Sequence, residues 1–264
     1  MTTLGGATTS PILVTGGTGT LGRLVVQQLG DAGRDVRVLS RRGPRSRAAA
    51  DGVDVVTGDL VAGTGIEPAV DGVSAIVHCA SDNKGDAEAT RNLVAAATAS
   101  GGKPHLVYIS IVGADRVTFG YVRAKLQAEQ IVTDSGLPWT TLRATQFYDL
   151  ILNGTQKLAR LPMVPVPAGF PTRPVDTGEV AARLAELTLG EPGGRVPDMA
   201  GPQVLSFADL VRGYLRAAGR RRPVLPVWLP GLRRIRDGAL IPEPSADTLI
   251  GTRTWAEFLA GRLS

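Results

Sequence analysis

Tyr121 and Lys125, four residues apart, are the first candidates for chemistry in this 264-residue sequence. At this spacing two side chains share one face of a helix, so an ammonium group can stand beside a phenol. The neighbouring positive charge favours the phenolate and lowers the tyrosine pKa from about 10. Such a phenol can give a proton to a developing alkoxide or take one back. An ordinary amphipathic helix is the alternative interpretation.

A glycine-rich segment near the start of the sequence predicts a phosphate-binding loop. Gly16, Gly19 and Gly22 follow a short apolar strand, Pro11–Val14, and precede a helix that closes at Gly33. We expect Gly16 to permit a tight turn, Gly19 to admit a pyrophosphate, and Gly22 to bring the helix close to the strand. The helix amides and the positive end of its dipole then face the anion. A tight turn without a ligand is the alternative.

Alternating strands and helices determine where these groups lie. Five further strands are predicted at Asp35–Leu39, Val53–Val56, Ser74–Cys79, Pro104–Ser110 and Trp139–Leu142. Helices are predicted over Asp86–Ser100 and Phe119–Asp134. This order indicates an α/β fold, a Rossmann doubly wound parallel sheet. Ser110 ends the fifth strand, where its hydroxyl can hydrogen-bond a substrate oxygen.

The pattern changes after about residue 150. Prolines divide residues 161–174 into extended segments and loops. Asp176 and Ser206 are predicted to cap two later helices, and capping is preferred to catalysis for Asp176. We predict a flexible leader over residues 1–10, a dinucleotide-binding core over 11–150, and a small substrate-capping region over 151–264.

Composition narrows the possible functions. Cys79 is the single cysteine, which excludes a disulfide framework and predicts a cytoplasmic protein. No segment is predicted to be a membrane span or a signal peptide. The net charge is +5, but the arginines are scattered apart from clusters at Arg41–Arg47 and Arg220–Arg222, and aromatic residues are few. We therefore expect no nucleic-acid partner, no membrane partner and no metal site.

The end of the second strand predicts which dinucleotide binds. It reads Ser40-Arg41-Arg42, without the acidic residue that selects NAD. A serine and two arginines can instead hold the extra phosphate of NADP(H). A solvated basic loop is the alternative. His78 and Cys79, at the end of the fourth strand, are predicted to be a half-buried structural histidine and a small core residue.

Three segments carry a resemblance to a known family: TGGTGTLG, YVRAKLQAEQIV and SGLPWTTLRATQFYD. Together they resemble the NmrA-like branch of the atypical short-chain dehydrogenases/reductases. The resemblance implies a catalytic set of Ser110, Tyr121 and Lys125. It also implies that the cofactor is bound by Gly16, Thr18, Gly19, Thr20, Leu21, Gly22, Ser40, Arg41, Arg42, Asp59, Leu60, Cys79, Ala80, Ser81, Lys125, Thr145 and Phe147.

Some features of that implied site have alternatives. Asp59 would contact the adenine, but it would equally well cap a turn. Phe147, Tyr148, Met163 and Phe170 are candidates for an apolar substrate wall, with core packing as the alternative for each. The short gap between Ser110 and Tyr121 departs from the superfamily pattern.

The resemblance implies an NADPH-dependent reductase of a quinone or another carbonyl compound, acting on a small apolar substrate as a monomer or homodimer. One alternative is a non-catalytic sensor of the NADP redox state. Another is a biosynthetic enzyme that uses the fold for a non-redox rearrangement.

Overall fold

The structure is a computed structural model that describes residues 10–43, 53–81, 85–117, 120–228, 233–243 and 247–263. Arg45, Arg47 and Phe119, which belong to segments singled out above, lie outside these ranges. The chain forms two compact units. Unit 1 comprises residues 1–108, 128–140 and 181–194, and unit 2 comprises residues 109–127, 141–180 and 195–264.

Unit 1 contains a parallel sheet flanked by helices. Its elements are β1 (Ile12–Thr15), α1 (Gly22–Asp31), β2 (Val36–Ser40), β3 (Asp54–Thr57), α2 (Glu67–Val70), β4 (Ala75–His78) and α3 (Asp86–Ala99). A further strand, β5 (His105–Ile111), begins in this unit. The strands lie in the order β3-β2-β1-β4-β5, with Ile12 opposite both Val36 and Ala75. The predicted Rossmann-like α/β fold is confirmed.

The strands of unit 1 are mostly apolar because their side chains form the hydrophobic core of this unit. Leu13, Ile76 and Leu106 are completely buried, and the side chains of Leu93 and Val132 pack in the same cluster. Central parallel strands are covered on both faces, which is why they read as continuous apolar runs rather than as alternating patterns. Each predicted strand is present, with ends that shift by one or two residues.

Unit 2 completes the list of elements. α4 (Gly120–Thr133) and β6 (Trp139–Ala144) each have one end in this unit, as does α6 (Thr177–Leu189). β9 (Gly194–Arg195) likewise has one residue in each unit. The others are α5 (Tyr148–Leu158), β7 (Val164–Pro167), β8 (Pro171–Thr172), β10 (Met199–Ala200), β11 (Leu205–Ser206), α7 (Phe207–Ala217), β12 (Val224–Val227), α8 (Arg233–Arg236), β13 (Leu249–Ile250) and α9 (Trp255–Leu263).

Short strand pairs and an aromatic cluster organise unit 2. Met199 of β10 lies opposite Ala144 and Leu249 in parallel register, while β7 pairs with β12 and β8 with β11. The ring centroids of Tyr148 and Phe258 lie 5.2 Å apart. These rings pack with α7 and form a core. The burial of their large aromatic surfaces stabilises it.

Both predicted helix caps are present. Asp176 Oδ1 accepts hydrogen bonds from the amides of Gly178 (2.7 Å) and Glu179 (3.3 Å). Ser206 Oγ accepts one from the amide of Asp209 at 3.1 Å. Glu179, three positions after Asp176, is where a capping box would place a reciprocal acceptor, but its Oε1 accepts instead from the backbone amide of Thr252 at 2.7 Å.

Within the described ranges, no helix combines the length and the apolar character needed to cross a membrane.

Candidate functional site

The glycine loop after β1 is shaped by close backbone contacts. Gly16 has φ +68°, and a Cβ there would lie 2.7 Å from the Ala80 nitrogen. The amide of Gly19 donates to the Gly16 carbonyl at 2.9 Å, which closes the turn. A Cβ on Gly22 would collide with the Gly16 backbone rather than with the strand itself. Gly22 therefore allows helix and loop to approach, which corrects the predicted contact.

The first helix begins directly behind this loop. Leu21 precedes α1 without any side-chain cap on the amides of the first turn, and its own side chain is buried. Helix amides that no side chain caps, together with the positive end of the dipole, make this end of α1 suitable for an anion. Leu21 and Gly22 lie directly after the loop, where the helix begins.

The loop opens onto a cavity of about 640 Å³ in unit 1. Cavities of this size are typical of cofactor sites. It brings together predicted residues from four separate segments of chain. These are Gly16, Thr18, Gly19, Thr20, Ser40, Arg41, Arg42, Asp59, Leu60, Cys79, Ala80 and Ser81.

The end of β2 contributes the basic part of the cavity wall. Ser40 is buried, and its Oγ accepts a hydrogen bond from the amide of Arg42 at 3.2 Å. This bond fixes the turn from which Arg41 and Arg42 reach the surface. Ser40 thus has a structural role beside any contact its hydroxyl hydrogen makes with a ligand.

Asp59 forms a turn at another wall of the cavity. Its Oδ1 accepts hydrogen bonds from the amides of Val61 (2.9 Å) and Ala62 (3.3 Å). The Asn92 side-chain amide donates to the carbonyl of Leu60 at 2.8 Å and holds the same turn against α3. These contacts show that Asp59 caps a turn, which is one of its two predicted roles. The residue also lines the cavity.

The residues after β4 also line the cavity, directly beside the tight turn of the glycine loop. His78 is 1% exposed, with its two ring nitrogens 2.7 Å from Thr15 Oγ1 and 3.1 Å from Thr90 Oγ1. It is a structural histidine, as expected, but it is fully rather than half buried. Cys79 differs from the expected core residue, because it is partly exposed in the cavity wall.

Five lining residues were missed by the sequence reasoning. They are Leu39, Gly58, Val61, Asp86 and Ala89. Three of them adjoin predicted strand ends or turn residues, so extending each predicted segment by one position would have found them. Asp86 and Ala89 lie in the first turns of α3, and Ser81 Oγ donates to Asp86 Oδ2 at 3.3 Å.

The candidate catalytic residues lie in unit 2. Lys125 is 3% exposed, and its Nζ donates to the Ile109 carbonyl at 3.5 Å. The same nitrogen lies 5.8 Å from the ring centroid of Tyr121, which is partly exposed. Ser110 is buried near the end of β5. The predicted sharing of one helix face by Tyr121 and Lys125 is confirmed, and their catalytic role stays a prediction.

Two of the predicted cofactor-binding residues follow β6. Thr145 is buried, and its hydroxyl donates to the Arg173 carbonyl at 2.6 Å. Phe147 is partly exposed and forms an isolated parallel bridge with Val175 at the start of α5. Their contacts with a cofactor stay predictions.

The remaining candidates for a substrate wall have different surroundings. Tyr148 is completely buried in the aromatic core, where its hydroxyl donates to the Arg253 carbonyl at 2.9 Å and burial raises its pKa. Core packing, the alternative given above, therefore describes Tyr148. Met163 is 46% exposed, so core packing does not describe it. Phe170 is partly buried and meets the Phe207 ring edge-on at 6.3 Å.

Across the part of the chain that the structure describes, no three His, Cys, Asp or Glu side chains are grouped to hold a metal ion.

A family model described as NAD(P)H-binding matches residues 16–187. The chain is 35% identical over 214 residues to the (4-alkanoyl-5-oxo-2,5-dihydrofuran-3-yl)methyl phosphate reductase of Streptomyces griseus, covering 79% of this chain and 74% of that one. It is 28% identical over 258 residues to the NAD(P)H azoreductase of Xenophilus azovorans, covering 96% and 90%.

A solved structure shows the same fold. The NADPH-dependent quinone oxidoreductase of Escherichia coli, complexed with NADPH, superposes with a TM-score of 0.81. The superposition covers 96% of this chain and 100% of that one at 23% sequence identity. The arrangement of strands and helices described above is therefore shared with a protein that holds a nicotinamide dinucleotide.

Proposed function

Since the chain belongs to the NAD(P)H-binding family and is an NAD(P)H-dependent oxidoreductase, we propose that it reduces a quinone or another carbonyl compound with NADPH. The bound nicotinamide supplies the hydride, while the protein supplies binding, orientation and a dry surrounding. The observation that carries this proposal is the cavity at the glycine loop, with backbone amides at one wall and arginines at another.

The cavity fits the diphosphate part of the cofactor. Gly16 and Gly19 contribute no side chains to the loop. A Cβ on Gly16 would fill space between the loop and the Ala80 backbone. The first turn of α1 adds a favourable dipole at the same place. In our proposal Thr18 and Thr20 line this part and add hydroxyl donors.

The basic wall supports NADPH rather than NADH. Arg41 and Arg42 are exposed at the cavity beside Ser40. A guanidinium group binds a phosphate with two parallel hydrogen bonds and can stack on an adenine ring. In β2 the position where an acidic residue would bind an unphosphorylated ribose is occupied by Ser40.

The adenine fits the apolar part of the same cavity. Leu39, Leu60 and Val61 line it next to the turn capped by Asp59. A flat apolar ring gains from burial between aliphatic side chains. Asp59 Oδ1 already accepts two backbone amides, so we assign a contact with the adenine amino group to Oδ2.

The chemistry of hydride addition indicates which acceptors need a proton donor from the protein. Hydride transfer to a quinone produces a phenolate-like oxyanion, which is stable without an obligatory protein acid. Simple ketones produce a far more basic alkoxide and need a proton donor in the transition state. In our proposal Tyr121 is that donor, Lys125 lies beside it on the same helix face, and Ser110 hydrogen-bonds the carbonyl oxygen.

The test measures NADPH oxidation with a panel of acceptors. Purified protein is mixed with NADPH and benzoquinones, naphthoquinones, an azo dye, an acyl-furanone and simple ketones, and loss of the reduced-nicotinamide absorbance is followed. We expect turnover with at least one conjugated carbonyl compound and slower turnover with NADH. Tight NADPH binding without turnover of any acceptor would contradict the proposal and favour a redox sensor.

A further inference from the structure

Unit 2 exposes apolar side chains beside a run of arginines, and apart from Met163, a candidate for the substrate wall, the reduction chemistry gives them no role. Residues 210–236 contain eight arginines and no aspartate or glutamate, so the rest of the chain carries a net negative charge. Apart from the cluster at Arg41–Arg47, the arginines elsewhere in the chain are scattered. This concentration of positive charge points to a partner with a negative surface.

The apolar part is a two-stranded ribbon formed by β7 and β12. The strands pair in parallel, with Leu225 opposite Pro165. Val164 and Val166 of β7 are buried in the aromatic core of unit 2, so the inner face of the ribbon is covered. Leu225 is 47% exposed on the outer side.

Two further apolar side chains are exposed at the ribbon's ends. Met163, directly before β7, is 46% exposed, and Trp228, directly after β12, is 67% exposed. A large aromatic side chain is costly to leave in water, so this degree of exposure indicates an interaction surface. We call Met163, Leu225 and Trp228 the apolar face.

Arginines lie at both ends of the apolar face. Arg220, Arg221 and Arg222 are exposed immediately before β12, and the Arg236 guanidinium lies 3.9 Å from the Trp228 ring centroid. At about 3.3 Å per residue, Arg222 and Trp228 are separated by roughly 20 Å of extended chain. None of Arg220, Arg221 and Arg222 forms an ion pair with an acidic residue that the structure describes.

We propose that this surface binds a bilayer containing anionic lipids. Trp228, Leu225 and Met163 enter the boundary between headgroups and acyl chains, while Arg220–Arg222 bind lipid phosphates. Tryptophan favours this boundary because one edge is polar and the rest apolar. Arginine is suited to phosphate, and clustered arginines are attracted to an anionic leaflet.

The aliphatic side chains favour a bilayer over other polyanions. A nucleic acid would use the arginines and stack on Trp228, but it would gain little from Leu225 and Met163. An anionic bilayer uses all of these groups at once. The proposal replaces the expectation that the protein has no membrane partner, needs no membrane-spanning helix, and is independent of which acceptor is reduced.

The first test is sedimentation of the full-length protein with vesicles. Vesicles of phosphatidylcholine alone are compared with vesicles that also contain phosphatidylglycerol, at low and high salt. We expect binding to the anionic vesicles that weakens as salt rises. Equal binding to both kinds of vesicle, or binding to neither, would overturn the proposal.

Charge variants then test the arginines. R220Q/R221Q/R222Q is expected to weaken partitioning on the order of 100-fold. The matched control R91Q/R183Q/R195Q removes the same charge from arginines that already pair with Glu88, Glu186 and Asp198. It should stay within about threefold of the parent protein. Equal loss in both variants would mean that net charge alone matters, and the assigned surface would be wrong.

Depth of insertion tests the apolar face. Lipids brominated on their acyl chains should quench the emission of Trp228, and W228F should lose that quenching while still sedimenting with the vesicles. L225S/W228S should weaken partitioning by about tenfold or more. Since both residues are exposed, thermal unfolding should be unchanged. Unquenched Trp228, or full binding by L225S/W228S together with equal binding to heparin, would identify a general polyanion surface instead.

Discussion

Gly16 and Ala80 lie so close that a Cβ on Gly16 would stand 2.7 Å from the Ala80 backbone nitrogen. The φ of Gly16 is +68°, a conformation that L-residues with a side chain rarely adopt. The tight turn of the glycine loop therefore depends on this glycine for two separate reasons. The glycine loop and the segment after β4 are therefore in close backbone contact.

Gly16→Ala should destabilise the protein by about 2–4 kcal/mol, because it adds both backbone strain and a backbone collision. NADPH affinity should fall as well, since the loop must move. The matched control is Gly30→Ala, where a Cβ has nothing within 4 Å and the residue lies in α1. That control should stabilise by about 0.5–1 kcal/mol. Urea unfolding and calorimetric titration measure both effects; similar behaviour of the two variants would refute this account of the loop.

The arginines at the end of β2 should determine the choice of dinucleotide. The double substitution R41A/R42A is expected to raise the Kd for NADPH by about 10- to 100-fold. NADH lacks the phosphate that these guanidinium groups would hold, so its Kd should change by less than about threefold. Isothermal titration of the same variant with both cofactors provides the internal control. A parallel loss for NADPH and NADH would show that the arginines do not select the phosphate.

Tyr121→Phe separates two routes of reduction. With simple ketones kcat should fall by about 100-fold or more, because the alkoxide loses its proton donor. With a quinone, kcat should change by less than about threefold. Tyr214→Phe is the matched control, since Tyr214 is buried in the core of unit 2 and outside the proposed catalytic set. Equal rates for Tyr121→Phe and the parent protein with every acceptor would exclude an essential acid at this position.

His105 should make the stability of the protein depend on pH. Burial lowers its pKa, although Glu191 opposes this effect. Its Nε2 lies 2.8 Å from Thr140 Oγ1, and no described group bonds its buried Nδ1. Because protonation is easier in the unfolded chain, the contribution of His105 is complete above about pH 6.5 and declines as pH falls from there.

The expected slope is at most about 1.4 kcal/mol per pH unit from this one group. Urea unfolding between pH 5 and pH 8 measures it, and His105→Gln should flatten the curve below pH 6.5. His78, the other histidine, remains in that variant and serves as an internal reference. An unchanged pH dependence in His105→Gln would show that other groups dominate.

The sequence by itself determined the secondary-structure elements and the glycine loop. The spacing of Gly16, Gly19 and Gly22, the apolar strands around them and the caps at Asp176 and Ser206 all depend on interactions between neighbours in the chain. Backbone hydrogen bonding, side-chain periodicity and turn conformation are local, so a sequence pattern records them directly. For the same reason Tyr121 and Lys125 could be placed on one helix face.

Only the tertiary structure decided which side chains line the cavity, which fill the core and which stay exposed. Tyr148 is completely buried against Phe258, more than a hundred positions later, whereas Met163 is exposed. Glu179 binds the backbone at Thr252 instead of its own helix. These outcomes depend on contacts between segments far apart in the chain. The hydrophobicity of a residue does not predict them, because its burial depends on which distant residues pack against it.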